Sequence, residues 1–326
     1  MKENIKNKSS NLLISNYLSN FIFAEFLFNL EPEDSFKLGH FKGATLRGGF
    51  GYAFKKLVCF FGKEKICNNC SISSKCPYRI IFESQSNDKK FFNIKEIPRP
   101  FVIEPPYTEK QIYRNTEIFP VKLILIGKSI EYFPYFFLSF SSLGEIGLGA
   151  NRKKYSIKSV FQIYPQNILI YTENSDELKK PVISPFTEKI SQKASQITLN
   201  FISPTRIKFN GKLISVPEFH HIIRALIHRI TLLSFYWCDV KIEYEWKNLI
   251  EEAKDIKIKT CELRWVDWER FSSKQKTKMK FGGFRGKITY TGNLEKFLPL
   301  LLLGSHLHIG KSTTFGLGKY CIEKNE

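Results

Sequence analysis

The segment Gly304–Tyr320 reads GSHLHIGKSTTFGLGKY, and Leu143–Arg152, which reads LGEIGLGANR, is a shorter version of it. Each of these two glycine-rich loops follows an aromatic or leucine-rich segment and precedes a short run of strand-forming residues. Glycine allows a backbone to approach a phosphate closely, and the flanking lysine and arginine side chains supply positive charge. The repetition indicates two copies of one small domain, in a duplicated nucleic-acid-binding scaffold.

The composition is that of a basic globular chain. Its 326 residues are enough for two domains, and 43% hydrophobic residues are enough for real cores. Lys+Arg 50 against Asp+Glu 31 gives a formal net charge of +19, which predicts an acidic polymer or an anionic membrane surface as partner. No run reaches the roughly 18 apolar residues of a membrane helix, and no secretory signal is recognisable. The unevenly distributed cysteines argue against a disulfide framework, so we expect a cytoplasmic protein without a membrane partner.

The order of predicted elements is the same in both halves of the chain, namely strand, helix, strands, helix and strand. The apolar pattern predicts a strand over 20–29, a helix within 40–61, and further helices over 131–143, from Pro217 onward and over 294–303. A polar linker, 174–194, separates a first domain, 17–173, from a second, 195–326. This order predicts an α+β fold of two tandem ferredoxin-like (RRM-like) domains, with RNA on an open sheet face or between the domains.

Cysteine spacing predicts a zinc-knuckle insertion in the first domain. The pattern C-x7-C-x2-C-x5-C is formed by Cys59, Cys67, Cys70 and Cys76. Four such thiolates can close a tetrahedral structural zinc site in the loop after the first long helix. The alternatives are an iron–sulfur cluster, or metal-free thiols with Cys59 buried in the helix. A catalytic zinc is disfavoured, because an all-cysteine site leaves no open coordination position.

The second glycine-rich loop has phosphate-binding features but does not fit an ATP-binding loop. Its Gly-Lys-Ser sequence lacks the earlier glycine of a P-loop and precedes a strand, not a helix. Loop amides and lysine side chains can hold an RNA backbone instead. The residues predicted to do so are Gly310, Lys311, Ser312, Gly316 and Gly318. The alternative is a tight packing turn between domains.

Two histidines are candidates for proton transfer. His40 precedes the first helix close to Lys42 and Arg47, and His308 lies in the second glycine-rich loop. Imidazole accepts and donates protons near neutral pH, so either residue can be a general acid or base in RNA cleavage. The alternative for each is a structural role. No carboxylate pair or aspartate cluster suited to magnesium stands out, which weakens a two-metal nuclease hypothesis.

A basic and aromatic segment precedes the last predicted helix. Arg270, Ser272 and Arg285 are interleaved there with tryptophan and phenylalanine, a combination that holds phosphates and stacks bases. The alternative for the neighbouring lysines is an exposed, solvated hairpin. The predicted RNA-binding set is completed by Lys42, Arg47 and Arg152.

Several of these motifs, in this order, are similar to a known family. FKGATLRGGFG (41–51) and the cysteines ending in CPYRIIFE (76–83) resemble the N-terminal signature of CRISPR-associated RAMP-superfamily endoribonucleases, which process precursor CRISPR RNA. RWVDWERFSSKQ (264–275), GGFRGKITY (282–290) and LHIGKSTTFGLGKY (307–320) are similar to the C-terminal region of that family. The resemblance covers most of the chain.

The resemblance implies tandem ferredoxin-like domains and metal-independent cleavage of CRISPR repeat RNA to mature CRISPR RNA. The substrate 2′-OH attacks the adjacent phosphate, which leaves a 2′,3′-cyclic phosphate and a 5′-OH. Family members often have a catalytic histidine near the first helix, where His40 stands, and His308 lies within the glycine-rich motif itself. The cationic candidates are Lys42, Arg47 and Lys311. The alternative is a non-catalytic RNA-binding subunit of a CRISPR effector complex, and a homodimer is also allowed.

Overall fold

The computed structural model describes residues 14, 16–61, 67, 70–84, 97–188, 195–242, 244–272 and 277–323, with only the backbone over 269–272 and 277–280. The chain divides into two compact units. The N-terminal unit comprises Ile22–Ser184 together with Tyr236–Cys238. The C-terminal unit comprises Pro185–Phe235 and Asp239–Glu326, together with the chain up to Phe21. The division at Ser184 falls inside the predicted linker, whose residues 189–194 lie outside the described part.

The N-terminal unit is built on a five-stranded antiparallel sheet. Its strands are β1 (Phe23–Pro32), β3 (Phe101–Glu104), β5 (Phe119–Ile126), β6 (Tyr155–Tyr164) and β7 (Ile168–Thr172), in the sheet order β3-β5-β1-β6-β7. A separate two-stranded ribbon is formed by β2 (Phe36–Lys37) and β4 (Ile112–Tyr113). In β1, Phe28 pairs with Val121 on one side and with Val160 on the other, which places β1 inside the sheet.

Helices cover one apolar face of this sheet. They are α1 (Lys42–Val58), the short α2 (Pro77–Phe82) and α3 (Phe133–Ile146). On α1, Leu46, Phe50 and Phe54 recur every four residues and are buried on one side. The ring centroid of Phe140 on α3 lies 4.7 Å from that of Phe50 and 4.6 Å from that of Phe28 on β1. The sheet and both long helices therefore meet in one aromatic core.

The C-terminal unit is built on a four-stranded antiparallel sheet in the order β11-β14-β8-β15. The strands in this part of the chain are β8 (Gln196–Thr205), β9 (Lys208–Phe209), β10 (Lys212–Leu213), β11 (Lys257–Val266), β12 (Glu269–Ser272), β13 (Thr277–Lys280), β14 (Gly283–Thr291) and β15 (Tyr320–Glu323). The pairs β9–β10 and β12–β13 form short hairpins outside the main sheet. The helices are α4 (Phe219–Trp237), α5 (Trp246–Glu252) and α6 (Leu298–Leu307).

The core of the C-terminal unit follows from alternation along β8, where Ile197, Leu199 and Phe201 are buried while the residues between them are not. On α6, Gly304 permits close packing, because a Cβ there would lie 2.5 Å from the hydroxyl oxygen of Tyr320. The two glycine-rich loops occupy matching places, since one connects α3 to β6 and the other connects α6 to β15.

The predicted combination of helices with antiparallel sheets is confirmed. The strand predicted over 20–29 is β1, and the helices predicted within 40–61, over 131–143 and from Pro217 are α1, α3 and α4. The last predicted helix, 294–303, begins later, because a 3-10 turn, Glu295–Phe297, precedes α6. Within the described ranges, no helix is both long and apolar enough to cross a bilayer.

Candidate active site and RNA interface

His40 is an exposed imidazole that is held at the entrance to α1. The β2–β4 ribbon brings two distant segments together, and Leu38 N–H donates to the Gln111 carbonyl at 2.9 Å. His40 follows Leu38 by two residues, and the side-chain amide nitrogen of Gln111 lies 3.0 Å from its Nε2. A carboxylate oxygen of Glu109 lies 3.6 Å from Nδ1, while the His40 side chain stays 76% exposed. The ring is thus oriented by an amide and a carboxylate and remains accessible to a substrate.

A groove on the N-terminal unit runs beside this histidine. The ribbon lines it with residues 35–39 and 111–112, and the first glycine-rich loop lines it with Leu148, Ala150, Asn151 and Lys153. Lys37 and Asn151 are exposed, and Lys153 Nζ forms an ion pair with Asp34 at 2.9 Å. Because Gly39 and Gln111 both line the groove, His40 stands at its edge.

The first glycine-rich loop is a tight turn. The backbones of Leu148 and Lys153 pair in both directions, at 2.7 and 3.1 Å. Gly147 ends α3 with φ 88°, and Arg152 has φ 46° with an exposed side chain. The turn therefore presents the predicted RNA-binding residue Arg152 to solvent, next to the groove.

Lys42 is buried, which a phosphate-binding residue would not be. Its side chain is 1% exposed, and Nζ donates to the Thr108 carbonyl at 2.7 Å. Burial lowers the pKa of Lys42, and the carboxylate of Glu109 acts in the opposite direction. Lys42 thus ties the first turn of α1 to the segment that carries Glu109 and Gln111. This geometry supports a positioning role for Lys42.

Arg47 is held flat by aromatic rings. Its guanidinium carbon lies 4.7 Å from the ring centroid of Phe82 and 5.3 Å from that of Phe101. Gly51, one turn further along α1, makes this possible, because a Cβ there would lie 2.6 Å from Nη1 of Arg47. The glycine four residues after Arg47 therefore leaves space for the guanidinium group.

The second glycine-rich loop is tied to the end of β8 by its own backbone. Lys311 N–H donates to the Arg206 carbonyl at 2.9 Å, and Gly318 N–H donates to the Pro204 carbonyl at 3.1 Å. Gly310 and Gly318 have φ values of 84° and 77°, and their α-carbons face the carbonyls of Arg206 and Ile309. These contacts pack the two glycines against backbone within the C-terminal unit, not between domains as the alternative proposed. Lys311 itself is exposed, whereas Gly316 is buried.

His308 is buried in the C-terminal unit. It follows the last residue of α6 with φ 62° and ψ 162°, and its side chain is 0% exposed. Nδ1 lies 3.0 Å from the Leu317 carbonyl, so it carries a proton and donates across the loop. The conformation is one that glycine ordinarily adopts. This placement supports a structural role for His308. Of the two candidate histidines, only His40 has a ring that RNA can reach.

The remaining predicted RNA-binding residues are Ser312, Arg270, Ser272 and Arg285. Ser312 is left-handed, with φ 64°, before a 3-10 turn over Thr313–Phe315. Arg285 is half-buried on β14, opposite Arg264 on β11. Arg270 and Ser272 lie on β12, where only the backbone is described.

The four predicted metal ligands line a common cavity. Cys59, Cys67, Cys70 and Cys76 all line one cavity beside the end of α1. Burial raises the pKa of Cys67, and the Glu83 carboxylate acts in the same direction. In the described part of the chain, no three His, Cys, Asp or Glu side chains are grouped so that they could hold a metal ion. Zinc stays a prediction.

Sequence reasoning did not find Glu109, Gln111 or Arg206. The first two reach His40 through a ribbon of two-residue strands, which leaves no periodic pattern to detect. Arg206 lies beside the second loop, and its guanidinium carbon is 5.2 Å from the Phe281 ring centroid. The Asn210-Gly211 pair, with φ values of 48° and 79°, is a hairpin signal that could have located this region.

Comparison with known proteins finds matches for both parts of the chain. Residues 199–320 match the family model of the CRISPR-associated endoribonuclease Cas6, and residues 21–183 match a model described as an N-terminal domain. The C-terminal part of the chain therefore resembles the CRISPR-associated endoribonuclease Cas6 in sequence. An uncharacterised Archaeoglobus fulgidus protein is 25% identical over 296 residues, which cover 88% of this chain and 93% of that protein.

Solved Cas6 structures are similar to this chain in fold. A Cas6 product complex has a TM-score of 0.54 at 15% identity, over 93% of this chain and 99% of that chain. Thermus thermophilus Cas6 has a TM-score of 0.51 at 15% identity, over 93% and 99%. A partial Cas6-RT-Cas1–Cas2 complex has a TM-score of 0.55 at 14% identity, over 93% of this chain and 46% of that chain. At these identities the similarity concerns the fold alone.

Proposed function

We propose that this chain is a metal-independent endoribonuclease of the Cas6 type that cleaves CRISPR repeat RNA into mature CRISPR RNA. The match of residues 199–320 to the Cas6 model and the net charge of +19 support an RNA substrate. The observation that carries the proposal is His40, an exposed imidazole held between Gln111 and Glu109 at the edge of a groove.

We propose further that each unit is a ferredoxin-like domain. In the N-terminal unit the elements follow as β1-α1-β3-β5-α3-β6, and the sheet order is β3-β5-β1-β6 with β7 added at the edge. In the C-terminal unit they follow as β8-α4-β11-β14-α6-β15, and the order is β11-β14-β8-β15. In both units the first strand pairs with the third and fourth, and the second pairs with the third. This supports a β-α-β-β-α-β unit, a fold whose sheets bind RNA in other proteins.

In the proposed reaction His40 is the general base. The imidazole takes the proton of the ribose 2′-OH, the 2′-oxygen bonds to the adjacent phosphorus, and the bond to the 5′-oxygen breaks. The leaving 5′-oxygen takes a proton from solvent water. The products are a 2′,3′-cyclic phosphate and a 5′-OH. Glu109 beside Nδ1 and the Gln111 amide, which donates to Nε2, both favour the tautomer that keeps its proton on Nδ1; the 2′-OH takes the place of the amide at Nε2 when RNA binds.

Charge on the reacting phosphate is stabilised by cations that line or border the groove. Lys37 and Lys153 line it, and Arg152 lies on the same loop as Lys153 with an exposed side chain. Cations at the site of developing negative charge lower the barrier without taking part in proton transfer. Arg47 and Lys42 lie behind the groove and position its walls. Arg47 packs α1 against Phe82, and Lys42 ties α1 to the segment that carries Gln111.

Replacement of His40 by alanine tests this assignment. In single-turnover cleavage of a repeat RNA, His40→Ala should slow the reaction by about 10²–10⁴-fold, the usual contribution of a general base. Its RNA dissociation constant should stay within about twofold, because no phosphate contact is lost. His228→Ala, which removes an exposed histidine from α4, is the matched control and should cut normally.

Cleavage and binding measurements together separate an endoribonuclease from a non-catalytic RNA-binding subunit. If His40→Ala cuts at the wild-type rate, the assignment of the base is wrong. A wild-type protein that binds its cognate repeat RNA tightly and does not cut it would be a non-catalytic RNA-binding subunit of a CRISPR effector complex.

A further inference from the structure

The four cysteines of the N-terminal unit surround one cavity, although they come from three different local settings. Cys59 directly follows the last residue of α1, and Cys76 directly precedes α2. Cys67 and Cys70 belong to the segment between these helices. All four line the same cavity, and none of the described cysteines forms a disulfide. Four thiols that converge on one space are a complete donor set for a soft metal ion.

Two backbone hydrogen bonds involve the central pair of cysteines. Cys70 N–H donates to the Cys67 carbonyl at 3.3 Å, and Ser73 N–H donates to the Cys70 carbonyl at 3.0 Å. These bonds link Cys67, Cys70 and Ser73 through their backbones, and both thiols line the cavity. The same C-x2-C spacing is found in structural zinc sites.

The charges around the cavity suit a thiolate centre. A metal dication with four thiolate ligands carries net negative charge, which needs compensation in a partly buried place. Lys55 and Arg79 both line the cavity, and Lys55 Nζ lies 5.5 Å from the ring centroid of Tyr78, which also lines it. Aspartate and glutamate are missing from the described lining, but the Glu83 carboxylate is hydrogen-bonded to the Cys67 thiol from outside it, and a metal ion would replace that bond.

We propose that this cavity is a structural zinc site with Cys59, Cys67, Cys70 and Cys76 as its ligands. Since no three donors in the described chain are already gathered around one point, binding draws the thiols together and releases their protons to solvent. The ion would then join the end of α1 to the start of α2. This matters for RNA binding, because α2 carries Phe82, on which Arg47 is stacked.

Titration with Co²⁺ tests the proposal directly. Full-length protein is reduced, freed of metal with EDTA and titrated with Co²⁺, whose thiolate charge-transfer and tetrahedral d–d absorption bands report the ligands. Both bands should rise until about one Co²⁺ is bound per chain and should vanish when Zn²⁺ is added. Cys70→Ser should weaken Co²⁺ binding at least tenfold. Cys261→Ser, which removes an exposed cysteine outside the cavity, should bind as wild type.

Three results would overturn the proposal. Folded wild-type protein that shows no charge-transfer band has no thiolate site, whatever the fate of the variants. Equal weakening by Cys70→Ser and Cys261→Ser would place the ion elsewhere. If protein purified without oxygen contains iron and inorganic sulfide, the cysteines hold an iron–sulfur cluster and not zinc. None of these measurements uses RNA, so they are independent of the proposed cleavage.

Discussion

Replacement of Gly318 by alanine tests what the second glycine-rich loop does. Gly318 has φ +77°, and a Cβ there would lie 2.8 Å from the carbonyl carbon of Ile309 and 2.9 Å from its nitrogen. Real Cβ atoms do not approach backbone this closely, so the loop must shift. Gly211 is a matched control, because it lies in the same unit with φ +79° and a Cβ there would meet nothing within 4 Å.

The expected costs follow from these contacts. Alanine in the left-handed region costs about 1–2 kcal/mol, which is all that Gly211→Ala should lose. Gly318→Ala should lose this amount plus about 1–3 kcal/mol, since a shift breaks the 2.9 Å bond from Ile309 N–H to the Gly318 carbonyl and the bond from Gly318 N–H to Pro204. Overpacking adds about 1–3 kcal/mol more.

Thermal unfolding followed by circular dichroism measures the difference. At about 2–4 °C per kcal/mol, Gly211→Ala should lower Tm by about 2–8 °C and Gly318→Ala by about 6 °C or more, and the loss for Gly318→Ala should be the larger of the two. Equal losses of Tm would refute the packing argument. If Gly318→Ala were as stable as Gly211→Ala and yet lost RNA affinity, the glycine would serve a phosphate contact instead.

Further predictions concern the histidines and Arg47. Gln111→Ala should slow repeat-RNA cleavage about tenfold at unchanged RNA affinity, because the His40 ring loses its 3.0 Å amide contact; an unchanged rate would contradict this role. Phe82→Leu should weaken RNA binding if Arg47 needs its aromatic support, whereas Phe209→Leu, at the β9–β10 hairpin, should not. His308→Gly should be more stable than His308→Ala in urea unfolding, because glycine tolerates φ 62° and ψ 162°; the reverse order would argue against backbone strain. His221 accepts a bond from Glu218 N–H on Nδ1, and burial lowers its pKa, so its folded form binds protons less readily than its unfolded form. Stability should therefore fall as pH drops below about 6.5, and His221→Asn, whose carbonyl can accept the same bond, should lose less; equal losses between pH 7 and pH 5 would contradict the assignment.

The helices and the paired loops could be predicted because their signals are local. Leu46, Phe50 and Phe54 recur every four residues, and each glycine-rich loop follows an apolar helix and precedes a strand. Such patterns depend on neighbours in the chain, which a sequence displays directly.

The surroundings of the candidate base could not be predicted, because they depend on contacts between distant segments. Gln111 and His40 are brought together by a ribbon whose strands have two residues each. The burial of Lys42 depends likewise on the carbonyl of Thr108, and a lysine in the first turn of a helix otherwise predicts exposure.

The difference between the two histidines was also tertiary in origin. His308 lies between Leu307 and Ile309, both fully buried, so its apolar neighbours were a usable signal for burial. What the sequence could not show is that the loop closes over the ring and offers the Leu317 carbonyl to Nδ1.

Cleavage of a repeat-containing RNA in excess EDTA, with analysis of the fragment ends, tests the central claim most directly. We expect wild-type protein to make a single cut that leaves a 2′,3′-cyclic phosphate and a 5′-OH, and we expect His40→Ala to bind the same RNA and leave it uncut. Cleavage that requires an added divalent ion, or that leaves a 3′-OH, would contradict a histidine-catalysed attack by the 2′-hydroxyl.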